Sequence, residues 1–214
     1  MKKVGTTTND SFIGMWDNVF TKEECEVTVR HLDKVFTNSP ELLHTENRPG
    51  RKDLAMFVQD KAPTIEVGRK IVERLIPCWE HYCSAYGLDG FTGRFHELFC
   101  QGIKVQKSIT NGGYCDWHFE QGTGPGSPER FAVWMMYLNE DFEGGNTEFM
   151  HQELAVKPEA GKLLIWPASY THNHRAAANL VGTKWIATGW FSYQKESMWI
   201  PKDNLPKDYV PRAQ

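Results

Sequence analysis

The chain has 214 residues, 40 % of them hydrophobic and 13 % aromatic, enough to bury a sizeable core in one domain. A net charge of −3 with no basic stripe argues against nucleic acid or an anionic membrane as partner. No apolar run approaches the roughly 20 residues of a bilayer span, and five cysteines without a CxxC pattern read as free thiols of a reducing, cytoplasmic compartment.

The opening stretch MKKVGTTTNDSF carries two lysines with no apolar segment behind them, so a signal peptide is not expected. TKEECEVTVRHLDKVF predicts a helix. Thr21 caps it, Glu24 completes a capping box, and Val29, Leu32, Val35 and Phe36 recur at helical spacing. SPELLHTENRPGRKD predicts a loop and LAMFVQ a strand. A second helix is expected from about Pro63 to Tyr86, capped by Asp60 or Thr64 and kinked or split by Pro77.

From Gly93 the texture changes. Short apolar or alternating runs (RFHELFCQGIKVQKS, RFAVWMMYLN, TEFMH, KLLIWP, KWIATGWFSY) are separated by Gly, Pro and Asn clusters such as TNGG, EGGN and PEAG. Helices followed by many short strands predict an α+β chain: a double-stranded β-helix (a cupin-like jelly roll) with N-terminal helical support. A single domain is expected, with residues 1–92 mainly helical, 93–193 the jelly-roll core and 194–214 a tail that wraps the surface or dangles.

With 8 histidines and 27 acidic residues, chance allows about one His-x-acid triplet, and the chain holds four: His31–Asp33, His44–Glu46, His118–Glu120 and His151–Glu153. Residues i and i+2 share a face on a strand but diverge on a helix, so only a pair in extended backbone chelates one metal easily. His31–Asp33 falls in the first helix, His44–Glu46 in the expected loop, and His151–Glu153 beyond a strand end. His118–Glu120, in YCDWHFEQG, meets the first long β segments and is the pair retained. An open metal site with two histidines and one carboxylate needs a second histidine. His172 and His174 both qualify on spacing, and either is equally well a loop histidine.

The segment from about Phe99 to Tyr193 resembles the prolyl 4-hydroxylase-like branch of the iron(II)- and 2-oxoglutarate-dependent oxygenases. GGYCDWHFE, RFAVWMMYLNEDFEGGNTEF, KPEAGKLLIWPASYTHNHR and GTKWIATGW follow one another as that family's H-x-[D/E], YLN…GGxTxF, PxxGxLxxFP and distal His-to-basic segments do. The family's ten-residue step from histidine to basic residue, counted back from Lys184, selects His174. The resemblance implies that His118, Glu120 and His174 hold Fe(II). It implies that Lys184 pairs with the far carboxylate of 2-oxoglutarate, with Thr147 and Tyr114 as further contacts. Glu120 stands where aspartate is commoner, and the family's tyrosine nine or ten residues before the first ligand falls at Ser108–Ile109, where this chain has none.

The implied reaction converts 2-oxoglutarate and O2 to succinate and CO2 and hydroxylates a C–H bond, with ascorbate as a reductant. Peptidyl proline leads as substrate, ahead of a small molecule or another side chain. Trp117 and Arg175 are further substrate candidates, and the Gly/Pro-rich QGTGPGSPER is a candidate lid. Basic residues of NRPGRKD offer a weaker contact for an acidic or peptide substrate. The rival readings are a metal-binding cupin that does not use 2-oxoglutarate and a zinc hydrolase. Lys184 separates the first, because a side chain aimed away from the metal cavity would remove the co-substrate site.

Overall fold

The computed structural model describes residues 6–7, 11–58, 63–88, 99–124 and 127–193. The elements run β1 (Thr6–Thr7), β2 (Gly14–Trp16), α1 (Lys22–Asn38), β3 (His44–Arg48), β4 (Arg51–Phe57) and α2 (Ile65–Ala85). Then come β5 (Phe99–Ile109), β6 (Gly113–Tyr114), β7 (Arg130–Tyr137), β8 (Thr147–Phe149) and β9 (Leu154–Val156). The chain closes with β10 (Leu163–Pro167), β11 (His174–Ala176) and β12 (Thr183–Ser192). The major sheet is ordered β1-β2-β10-β7-β12-β5-β4-β3, with β6 beside β4, and a minor sheet is ordered β11-β8-β9. All these pairings are antiparallel, the arrangement of a jelly roll.

Period-two alternation gives the major sheet two different faces. Ile103 and Val105 of β5, Trp134 and Met136 of β7, and Trp185 and Ala187 of β12 pack with Leu32, Val35 and Phe36 of α1 and Ile71, Val72 and Leu75 of α2. Their alternates Val133, Met135 and Tyr137, with Leu164 and Trp166 of β10, pack instead against Phe149 of β8 and Val156 of β9. The helices therefore close one face of the sheet, and the other face opens onto the space between the sheets.

The capping box of α1 forms as expected: Glu24 N donates to Thr21 Oγ1 at 3.1 Å and Thr21 N to Glu24 Oε2 at 2.9 Å. Thr64 is the N-cap residue of α2 but makes no side-chain cap hydrogen bond, and Asp60 lies outside the described residues. Pro77 does not split α2, which continues to Ala85 around buried Cys78, Tyr82 and Cys83. The tail 194–214 also lies outside the described residues.

The expected loop before β4 is a hairpin instead. β3 pairs with β4 from His44↔Ala55 to Arg48↔Arg51 across a turn in which Gly50 takes a φ of +75°. β3 is the edge strand and is largely exposed, so it has no buried face to impose the apolar alternation that marks a strand. His44–Glu46 therefore lies on a strand, yet no third ligand joins it among the described residues. Within the described residues, no helix is long and apolar enough to cross a membrane.

Candidate metal centre

His118 and His174 lie far apart in sequence and are locked together by backbone. His118 N donates to His174 O at 3.0 Å and His174 N to His118 O at 2.9 Å, an isolated antiparallel bridge at the start of β11. Each imidazole is then oriented by a carbonyl two residues upstream. Nδ1 of His118 lies 2.8 Å from Asp116 O, and Nδ1 of His174 lies 2.9 Å from His172 O. A carbonyl only accepts, so Nδ1 carries the proton and Nε2 keeps a bare lone pair. Burial lowers both histidines, His174 to about 4, so the rings are neutral near pH 7.

Both Nε2 atoms face the same oxygen, Glu120 Oε1, at 3.7 and 3.9 Å. The other oxygen, Oε2, is occupied: Arg130 Nη1 donates to it at 2.8 Å and Trp190 Nε1 at 3.0 Å. Arg130 also lies with its guanidinium carbon 3.8 Å from the Trp190 ring centroid and donates to Glu120 O at 3.1 Å. Residues 120 and 121 are tied by their N–H groups to Ala168 O. The longer glutamate arm is thus steered so that one oxygen remains free beside two bare nitrogens. The three donor atoms lie within 4.8 Å of one another. Two imidazoles with one carboxylate converging in this way suit a divalent transition metal with open coordination positions.

A cavity of about 290 Å³ runs from this corner along the sheet to Lys184. Lys184 is buried; its Nζ donates to Gly145 O at 2.5 Å and lies 5.2 Å from the Tyr137 ring. Burial pushes it down to about 8. Beside it the buried Tyr137 hydroxyl donates to Thr147 Oγ1 at 2.7 Å. Lys184 and Thr147 line the cavity, so a hydroxyl and an ammonium face a common space.

The remaining candidates separate. Tyr114 lines the cavity and stacks on His118, with centroids 3.6 Å apart at 11°. His172 is not among the lining residues: Nε2 lies 2.8 Å from Ser11 O and Nδ1 2.9 Å from Thr171 Oγ1, so it braces the N-terminal segment. Arg175 lines the cavity and donates to Glu148 at 2.7 Å. Trp117 does not line it and lies half-exposed under the Arg175 guanidinium, 4.3 Å away. The candidate lid is described only on either side of residues 125–126. Sequence reasoning missed Arg130 and Trp190 as partners of Glu120. Trp190 shares the cavity-facing alternation of Lys184 on β12, which is the one available signal.

Residues 103–192 match the family model described as the 2OG-Fe(II) oxygenase superfamily. Prolyl 4-hydroxylase subunit alpha-3 of Homo sapiens is 29 % identical over 111 residues, covering 45 % of this chain and 20 % of that protein. This chain thus spans about a fifth of the length of the curated relatives first matched. Among solved structures, the viral collagen prolyl hydroxylase vCPH of Paramecium Bursaria Chlorella virus-1, a 2OG complex, superposes with a TM-score of 0.63 at 18 % identity, covering 86 % of this chain and 98 % of that one. A Trichoplax adhaerens prolyl hydroxylase in complex with a hypoxia inducible factor oxygen degradation domain peptide fragment gives 0.65 at 14 % identity, covering 88 % and 87 %.

Proposed function

We propose that this chain carries a prolyl hydroxylase-like 2OG-Fe(II) oxygenase domain and, from that premise, that it hydroxylates a C–H bond of a peptidyl proline. The family's cofactor is Fe(II), with 2-oxoglutarate and O2 as co-substrates. The observation that carries the reading is one cavity with two ends: a convergent His118–Glu120–His174 donor set and, along the sheet, a buried ammonium at Lys184.

His118 Nε2, Glu120 Oε1 and His174 Nε2 would hold Fe(II). Bound there, the metal supplies the coupled oxidation that converts 2-oxoglutarate and O2 to succinate and CO2 and places the second oxygen atom in a substrate C–H bond. The protein's own residues set up that chemistry. Lys184 and the Thr147 hydroxyl receive the distal carboxylate, which fixes which end of the keto acid faces the metal. Arg130 and Trp190 hold Oε2 of Glu120, so that Oε1 is the oxygen left to offer a metal. The Asp116 and His172 carbonyls hold the imidazole protons on Nδ1. Apolar Val133, Met135 and Ile186 keep stray water off the reacting bond.

The relatives' names supply the proline. The alpha-3 subunit is called a prolyl 4-hydroxylase and the Trichoplax enzyme is solved with a peptide fragment. Ascorbate is the proposed reductant for iron oxidised in turnovers without substrate. A reducing, cytoplasmic setting suits the free thiols of Cys25, Cys78, Cys83 and Cys115. The test is succinate formation together with addition of one oxygen to proline-containing peptides, expected to need Fe(II), 2-oxoglutarate and O2 together. Turnover with Zn(II) and no O2 or keto acid would replace the oxygenase reading with a hydrolase.

A further inference from the structure

In a chain of net charge −3, the cavity is lined by five cationic side chains (Arg51, Lys104, Arg130, Arg175 and Lys184) against one carboxylate, Glu120. Three of the five have acids of their own. Arg51 holds Asp53 at 2.9 Å, Arg130 holds Glu120 at 2.8 Å and Arg175 holds Glu148 at 2.7 Å. Both oxygens of Asp53 are engaged, since Gln106 Nε2 donates to the other one at 3.2 Å. Among the described residues, that leaves two lining ammoniums that make no direct ion pair, Lys184 and Lys104.

One keto diacid does not serve both. On the paired strands Lys184 stands opposite Ser108 and Lys104 opposite Thr188. The two lysines are thus four residues apart along the sheet, roughly 13 Å at strand rise. 2-Oxoglutarate offers one carboxylate to the metal and one to Lys184, so none remains. Lys104 is placed on the cavity side by strand alternation, between Ile103 and Val105 of the opposite core. Burial first, and then the charge of Arg51, disfavours its ammonium; Asp53, Glu120 and Glu46 offset this only in part, and an arriving anion removes the remaining cost.

Resting on the oxygenase reading above, we propose that Lys104 is a specificity residue that pairs with a carboxylate on the primary substrate, so that the preferred substrates are peptides with Asp or Glu near the hydroxylated proline. Gln106, two residues along on the same face, donates to Asp53, so that this acid is already bound when a substrate carboxylate arrives.

The full chain with Fe(II), 2-oxoglutarate and O2 is given a mixture of proline-containing peptides with randomised neighbours, and the hydroxylated products are sequenced. Wild type is expected to enrich Asp and Glu at one position relative to proline by about tenfold. Lys104→Met should erase the enrichment, Lys104→Arg should keep it, and Lys104→Glu should move it to Lys and Arg at the same position. The visible absorption of the anaerobic Fe(II)–2-oxoglutarate protein should be unchanged in all three, which shows that the variants fold and load. Products without acid enrichment, or enrichment that survives Lys104→Met, would overturn the proposal. So would an intact absorption band with no peptide hydroxylated. A wild type that shows no band fails earlier, at the oxygenase reading itself.

Discussion

Replacing Lys184 with methionine should stabilise the unliganded protein while crippling its co-substrate site. Lys184 is 6 % exposed, and its ammonium donates to the Gly145 carbonyl and lies over the Tyr137 ring with no acid paired to it among the described residues. Burial lowers it from 10.5 to about 8, which corresponds to a cost of about 3 kcal/mol for keeping the charge inside. Below about pH 8 both folded and unfolded chains are protonated and the cost is fully present. Between pH 8 and 10.5 the folded chain releases its proton first, so the unliganded protein gains stability as pH rises. 2-Oxoglutarate should act in the opposite sense: with its distal carboxylate paired to the ammonium as proposed, its affinity should fall above pH 8. At pH 7, Lys184→Met should therefore raise unliganded stability by about 1–3 kcal/mol and abolish the alkaline gain. The same change leaves the ligand's carboxylate buried with only the Thr147 hydroxyl and no cation, weakening 2-oxoglutarate by about a hundredfold. Urea unfolding at pH 7 and pH 9, with and without Mn(II) and 2-oxoglutarate, reads all of these. A variant that loses stability like a core truncation, or that keeps its 2-oxoglutarate-dependent stabilisation, would refute the reasoning.

Three further outcomes follow from the geometry. Arg130→Gln should weaken metal binding by about 10- to 100-fold, because Glu120 Oε2 loses its cation; Mn(II) titration checks it, and an unchanged affinity would mean that Trp190 alone positions the carboxylate. Because burial holds His174 at about 4 and lowers His118 too, Mn(II) affinity should stay within about tenfold from pH 8 to 5.5. Two ordinary imidazoles would lose about a hundredfold over that range, and such a loss in calorimetry would contradict the buried assignment. Gly161 has a φ of +80°, and an added Cβ would sit 1.9 Å from Phe20 O. Gly161→Ala should cost about 2–4 kcal/mol in denaturant midpoint measurements, and a wild-type midpoint would show that the turn relaxes freely.

The parts of the fold legible in sequence are those whose cause is local or periodic. Thr21 and Glu24 announce the start of α1 because both halves of a capping box lie within one turn. The β-rich half is legible because its strands are buried and therefore alternate. β3 is not, since an edge strand exposed on both faces carries no such pattern. The candidate site divides in the same way. His118 and Glu120 are two residues apart and were singled out, whereas His172 and His174 have equal local claims. What separates those two is the backbone bridge from His174 to His118, while His172 faces Ser11. The clamp on Glu120 was hidden for a related reason. Trp190 is 70 positions from it and Arg130 sits across a Gly/Pro-rich loop, so only the closed sheet brings them to one carboxylate.

The most direct test is to add Fe(II) and 2-oxoglutarate to the protein without oxygen and record the visible charge-transfer absorption of a chelated keto acid. Wild type and His172→Ala should show the band, His174→Ala should lose it, and Lys184→Met should need far more 2-oxoglutarate to reach it. No band from wild-type protein that demonstrably binds the metal would contradict the oxygenase assignment and leave a metal-binding jelly roll with some other chemistry.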